Sequence, residues 1–241
     1  RKILSIKILA DEKQVFKNLG SLKKSANRQE IIEFLLSAGC WPFIMQRPYA
    51  IIANHNSFPK SIFVSGYSSE PLSANFDFTL KDNKKEIQAA VSVLGKLTEG
   101  NVNVSVEKSS NSIFREIKDI ELYNVSGPHP SGNVGSLINK VDPVNKGESV
   151  WTVSAQDLVI IGHMLLTGEF KAERIVSLSG SSIESPRYFK TIIGCQIDSI
   201  INNNVATEND NNRIISGTIL SGKKIGSDGH LDYYSNSVTV I

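Results

Sequence analysis

The amino-acid sequence predicts an α/β protein in which helices cross between parallel strands, followed by a smaller β-rich unit. Three observations carry this reading. Strand-like and helix-like segments alternate between Ile62 and Val106, the succession that brings parallel strands together through crossover helices. Two Asn-x-x-Glu pairs, Asn27/Glu30 and Asn83/Glu86, precede apolar residues at helical spacing, as capping boxes do. Beyond Gly168 the apolar runs become short and β-rich, so the boundary is placed there, with residues 1–168 as the α/β domain and 169–241 as the second domain.

Taken in order, Ile3, Leu4, Ile6 and Ile8 alternate as an opening strand, closed by a turn from Asn18 to Ser21. The helix opened by Asn27 has Ile31, Ile32, Leu35 and Leu36 as its apolar face and Gly39 as its stop. A loop holding Trp41, Pro42, Arg47 and Pro48 follows, then a buried strand from Ser61 to Ser65. The helix opened by Asn83 carries Ile87, Ala90, Val91, Leu94 and Leu97 and ends at Gly100, after which Val102, Val104 and Val106 alternate as a strand. Ile117, Ile120 and Leu122 suggest a third strand, and a loop runs from Gly127 to Gly135. Ser154 with Asp157 starts another helix, with Leu158, Ile161, Met164, Leu165 and Leu166 facing inward and Gly168 as its cap. The second domain is read as strands over Arg174 to Leu178, Phe189 to Ile193, Arg213 to Leu220 and Ser237 to Ile241. A short helix is placed near Ile197 to Ile201, and loops at Asn202 to Asn204 and Glu208 to Asn212.

The 241 residues are 40% hydrophobic and 21% charged, the composition of a soluble globular chain. The 26 Lys and Arg are interspersed with 24 Asp and Glu, which does not make the basic stripe that nucleic acid requires. No apolar run reaches membrane-helix length, and the opening Arg1-Lys2 leads into a strand-like segment instead of a signal peptide. The absence of a starting Met reads as the mark of an excised piece. Cys40 and Cys195 lie far apart, which fits a reduced compartment and falls short of the four thiolates of a cubane iron-sulfur cluster. His55, His129, His163 and His230 are dispersed, without a pair at the one-turn spacing of a zinc site, so no metal is expected.

Local motifs are few. Gly217 to Lys224 fits the first seven positions of a phosphate loop, but Lys224 stands where Ser or Thr should bind magnesium, and the segment reads better as a hairpin with a polar turn. No Gly-x-Ser-x-Gly elbow occurs, which removes support for hydrolase chemistry. His163 lies within an apolar helix and reads as structural. His129 sits between two prolines that fix its backbone, either to present its ring into a cleft or as part of the scaffold.

The stretch Gly127-Pro-His-Pro-Ser-Gly-Asn-Val-Gly135, then Val141-Asp-Pro-Val144, Val150-Trp-Thr152 and Gln156-Asp157, resembles the A-subunit family of sodium-translocating NADH:quinone oxidoreductases. Gly39-Cys-Trp41, Arg47-Pro48, Ile62-Phe-Val64 and Glu70-Pro-Leu72 support it upstream, and Pro186-Arg187, Arg213-Ile-Ile-Ser-Gly217 and Leu220-Ser-Gly222 downstream. The resemblance covers essentially the whole chain, without the family's terminal segments. It implies a Rossmann-like α/β domain related to the flavin-binding subunit of respiratory complex I, then a small β-grasp domain of the soluble-ligand-binding (SLBB) type. It also implies a place in a six-subunit complex, at the cytoplasmic face of a bacterial inner membrane, beside membrane-embedded subunits and with ubiquinone as the complex's substrate.

Flavin-binding relatives approach the FMN phosphate with a glycine-rich loop, a task for residues without Cβ. The comparable loop here, Gly39 to Pro48, keeps one glycine, and Trp41, Phe43 and Met45 would crowd the flavin. The relatives' Tyr-Pro-x-Gly-x-Glu element becomes His129 to Val134, and their iron-sulfur ligands have no counterpart. The resemblance therefore implies a protein with neither FMN nor an iron-sulfur cluster, without catalytic residues of its own, serving assembly and quinone binding. For a quinone, Trp41 and Phe43 are candidates to stack the ring, and Arg47 and His129 to donate to its carbonyl oxygens. The competing account has the two aromatics packing the vacated cleft and Arg47 paired with a carbonyl or an acid. Two other classes stay open: a flavoprotein oxidising NADH, and a free-standing ligand-binding β-grasp module.

Overall fold

Two β-sheets, each with its own apolar core, organise the chain. The computed structural model describes residues 3, 6–11, 15–16, 18–202, 204–205 and 212–241. The first sheet contains β1 (Ile44–Arg47), β2 (Ile51–Ile52), β3 (Ile62–Ser65), β4 (Val102–Glu107), β5 (Glu121–Val125) and β6 (Val150–Ser154), in the order β2-β1-β6-β3-β4-β5. Strands β6, β3, β4 and β5 are parallel; β1 lies antiparallel to β6 and β2. β3, β4 and β6 are buried nearly throughout, and the alternate positions of β4 bury the polar side chains Asn103 and Ser105.

Helices α1 (Arg28–Ser37), α2 (Phe76–Thr79), α3 (Lys84–Leu94), α4 (Val134–Val141) and α5 (Ala155–Thr167) surround this sheet. Ile62 and Val64 of β3 share a core with Ile87 and Val91 of α3 and Leu158 of α5, whereas Phe63 joins Leu137 and Ile138 of α4. Alternate residues of one strand thus face opposite layers. Helices α3 and α5 approach so closely that a Cβ on Gly162 would sit 1.9 Å from the Glu86 carbonyl oxygen, a separation only glycine permits.

The capping box at α1 forms in both halves. Glu30 N–H donates to Asn27 Oδ1 at 3.0 Å, and Asn27 N–H to the Glu30 carboxylate at 2.8 Å. The one expected at Asn83 does not form. Asn83 has ψ 28°, and a side chain reaches the second and third amides of a helix only from an extended cap. Leu36 and Leu166, expected on apolar faces, are exposed, because the neighbouring residues already fill the contacts. Gly39 and Gly168 close their helices with φ of 72° and 75°, in the left-handed region.

Several expectations give way elsewhere. Ile3, Ile6 and Ile8 are exposed and belong to no strand. The first sheet's edges are β2 and β5, and the described residues of this segment pair with neither; Leu4 lies outside the described residues. The loop expected around Arg47 holds a 3-10 turn, Trp41–Phe43, and then β1. The Gly127 loop ends at Val134, where α4 starts, and β5 takes Leu122 but not Ile117 or Ile120. Runs of four or five residues lack the periodicity that marks a strand.

The second sheet contains β7 (Glu173–Ser179), β8 (Arg187–Ile192), β9 (Ile214–Ser216), β10 (Lys223–Ile225) and β11 (Ser237–Val240), in the order β10-β9-β11-β7-β8. Only the β11/β7 pair is parallel. Helix α6 (Asp198–Ile201) sets Ile200 and Ile201 against Val176, Leu178, Val238 and Val240. The strand expected to reach Leu220 stops at Ser216, and the phosphate-loop-like segment is the turn joining β9 to β10. Asn203 and residues 208–211 of the expected loops lie outside the described residues.

Candidate functional site

β3 has β4 on one side and β6 on the other, and the chain reaches these neighbours through α3 and α4 on opposite faces of the sheet. The connections therefore diverge at the carboxyl ends of β3 and β6, the crevice where open α/β sheets take ligands. A cleft of about 530 Å³ lies there. Thr152 and Ser154 of β6 and Ser65 of β3 line it, with Phe43, Met45 and Arg47 from β1 and the residue before it. The loop after β3 adds Tyr67, Ser68 and Glu70, the start of α4 adds Gly132 to Gly135, and Tyr234 reaches in from the second unit.

Two buried polar atoms on this wall, Arg47 Nε and Ser154 Oγ, have no hydrogen-bond partner. Ser154 precedes α5 and Asn133 precedes α4, yet neither side chain caps its helix. The first amides of both helices are therefore left without a side-chain cap. The cleft combines aromatic and thioether walls with unpaired donors, a composition suited to a flat, largely apolar molecule carrying carbonyl oxygens.

Side chains from both units fix the cleft's shape. Phe43 stacks on Tyr233 at 5.4 Å and on Phe170 at 6.2 Å, and the Tyr234 hydroxyl donates to the Pro42 carbonyl at 2.9 Å. The Glu70 carboxylate accepts from the hydroxyls of Thr218 and Ser221, tying the loop after β3 to the β9–β10 turn. The Gln156 amide exchanges two hydrogen bonds with the backbone of Ile175 in β7. Beside it Asp157 and Arg174 form an ion pair at 2.6 Å with side chains 1% and 0% exposed. Burial pushes the Asp157 carboxyl up to about 6, with Arg174 pulling against the rise.

The four expected quinone contacts separate. Phe43 and Arg47 line the cleft. Trp41 is buried in the core, donating Nε1–H to the Ala53 carbonyl at 2.8 Å and meeting Trp151 edge-on at 5.5 Å. His129 is exposed, its Nδ1 3.2 Å from Ser69 Oγ. Ser69 Oγ also accepts from Gly132 N–H, so this hydroxyl links the His129 ring to the backbone of the loop. His129 thus braces the loop that forms the wall without lining the cleft.

In the sequence Ser154 and Asp157 read as a helix start and Glu70 as part of a family motif, and none of them, nor Tyr234, stands out as a site residue. The available signal was Arg174, a cation at the head of an apolar strand, since a charge in such a place requires a partner. Burial pushes the Cys40 thiol up to about 12 and raises that of Cys195, so both are protonated at neutral pH and unsuited to thiolate chemistry. No group of three metal-ligating side chains occurs among the described residues.

Fold and cleft together define a two-sheet α/β protein whose second unit completes a cleft at the carboxyl edge of the first. The family model described as the NqrA second alpha/beta domain matches residues 26–170, and that described as the NQRA C-terminal domain, of SLBB type, matches residues 175–227. The chain belongs to the NqrA family. It is 34% identical over 240 residues to the A-subunit of the Na(+)-translocating NADH-quinone reductase of Marinomonas sp. (strain MWYL1), covering 99% of this chain and 53% of that protein. The same-named protein of Histophilus somni (strain 2336) is 34% identical over 239 residues, 98% of this chain and 53% of the relative. That of Saccharophagus degradans is 32% identical over 238 residues, again 98% and 53%. The chain thus spans about half the length of these relatives. Among solved structures, an NAD+-reducing NiFe-hydrogenase in the air-oxidized state superposes with a TM-score of 0.62 at 11% identity, over 89% of this chain and 47% of that one. That likeness is one of fold.

Proposed function

We propose that this chain is the part of a sodium-pumping NADH:quinone oxidoreductase that supports electron transfer to ubiquinone without a redox group of its own. In this reading it sits on the cytoplasmic face of a bacterial inner membrane, docks against membrane-embedded subunits of a six-subunit complex, and helps to bind the quinone and assemble the complex. Alone it has no activity. The relatives' shared name supports the complex. No helix among the described residues is long and apolar enough to cross a membrane, in keeping with a peripheral position.

One observation carries the cofactor-free reading. In the segment where flavin-binding relatives need open backbone, Gly39, Cys40 and Phe43 N–H donate to Leu36, Leu35 and Cys40 carbonyls, and Pro42 has no N–H. Those groups are already committed and cannot serve a phosphate, and Phe43 and Met45 take up the space beside them. The residues present do not fit FMN. Strand order β6-β3-β4-β5 with helices on both faces supports the Rossmann-like reading, and the mixed sheet with α6 across it supports the β-grasp one.

In the cleft the protein's part is to hold the ring between Phe43 and Tyr67 and to direct the Arg47 guanidinium at a carbonyl oxygen. A fixed cation there gains strength as negative charge develops on reduction; electrons come from elsewhere in the complex. The purified full chain should be colourless, with no visible flavin band and no flavin released on denaturation. A stoichiometric flavin in either measurement contradicts the proposal.

A further inference from the structure

A second cavity, of about 160 Å³, lies between α2, α3, α5 and the β7–β8 pair, apart from the cleft. Three buried polar atoms on its lining residues have no partner: Thr79 Oγ1, Arg174 Nε and His163 Nε2. Thr79 is only 4% exposed and the Arg174 side chain 0%. The guanidinium of Arg174 is turned away from this cavity, Nη2 to Asp157 and Nη1 to Asn236 and the Tyr234 carbonyl, none of which lines it. Asn83 also lines the cavity, at the start of the 11-residue helix α3, whose first amides its side chain does not cap. Buried donors are satisfied in folded proteins by protein, water or ligand. An unpartnered buried hydroxyl on the wall beside the positive end of a helix describes an anion site.

The remaining wall narrows the chemistry. Lys171 and Lys190 add positive charge; Glu173 is held by Lys190 at 2.8 Å, and Glu86 stands in the first turn of α3. A carboxylate is an acceptor only, so it disfavours an anion without hydrogen and accepts from one that carries an O–H. The volume has room for about five waters, enough for a tetrahedral oxyanion.

From this we infer that the cavity is a site for a protonated tetrahedral oxyanion, of which hydrogen phosphate, free or as a terminal phosphate monoester, is the simplest. Thr79 and the α3 amides donate to it with the His163 ring beside them, and the Glu86 carboxylate accepts from its O–H. Because α2, α3 and α5 belong to the first unit and β7 and β8 to the second, the ion bridges the two.

The test is thermal unfolding of the full chain in inorganic phosphate, sulfate or chloride at matched ionic strength, paired with calorimetric titration by phosphate. A ligand that binds only the native state raises Tm with concentration. The expected result is a saturable rise with phosphate and none with the other two salts. Thr79→Val should weaken phosphate binding at least about tenfold without lowering Tm in chloride, since it removes an unpartnered hydroxyl. Thr79→Ser should restore binding, and Glu86→Gln should admit sulfate. A phosphomonoester titration separates free phosphate from a larger carrier: binding of inorganic phosphate alone assigns the free ion, and binding of both assigns the phosphate group. Equal rises with all three salts, or undiminished phosphate binding by Thr79→Val, would overturn the inference, as would a crystal structure grown in phosphate that shows only water there.

Discussion

Replacing Arg174 by Met is expected to lower the unfolding free energy by about 3–5 kcal/mol at pH 8, the usual loss when one partner of a buried ion pair is removed. The reason is the partner left behind. Asp157 is 1% exposed, and without Arg174 its carboxylate would face the core uncompensated. The effect should depend on pH with a defined sign. In the wild-type chain the Asp157 carboxyl is raised to about 6 from 3.8 by burial. The native state therefore binds this proton more tightly than the unfolded one, and the group's favourable contribution is full below about pH 4 and lost as pH rises through about 6. Removing Arg174 removes the influence that lowers this carboxyl, so the variant goes on losing stability above pH 6 while the wild type levels off. Urea unfolding at pH 5 and pH 8 should show the larger deficit at pH 8, and adding Asp157→Asn should recover part of it. A deficit under about 1 kcal/mol, equal at both pH values, would place the ion pair in water.

Trp41→Ala should cost about 3–5 kcal/mol, the range for emptying a buried indole site. Two losses combine: the ring packed edge-on against Trp151, and the indole donor to the Ala53 carbonyl. Trp41→Phe keeps most of the volume but leaves that carbonyl unpaired, so a loss of about 1–3 kcal/mol is expected. Neither change should alter the cleft's affinity for a quinone, measured under conditions where each variant is folded. If Trp41→Phe left Tm unchanged while weakening quinone binding, Trp41 would belong to the ligand's wall and not to the core.

The sequence made the long elements legible and left the short ones obscure. α1, α3 and α5 announce themselves by periodicity and by their ends, β3 by its apolar run and β4 by the alternation of Val102, Val104 and Val106. β1, β6 and β10 have three to five residues each, too few for a period to show. Missing β1 mattered most, because its alternation sends Met45 and Arg47 to the cleft and Ile44 to the core. With a loop in its place, Trp41, Phe43 and Arg47 looked like equal candidates. The Asn83 pair shows the opposite limit: the residues of a capping box were present, and the backbone turned before the cap could form. The Asp157–Arg174 pair, 17 residues apart, joins a helix of one unit to a strand of the other, a relation only the packing of the two sheets reveals.

The most direct measurement is an equilibrium titration of the full chain with a short-tailed, soluble ubiquinone analogue, followed by tryptophan fluorescence and calorimetry, in wild type and in Arg47→Met. Removing a charged hydrogen bond of about 2 kcal/mol corresponds to a loss of about tenfold or more in affinity. The cleft at the β3–β6 edge predicts saturable one-site binding, weakened by that factor in Arg47→Met while Tm is maintained. Absence of saturable binding in the wild type, or the same affinity in both proteins, would contradict it.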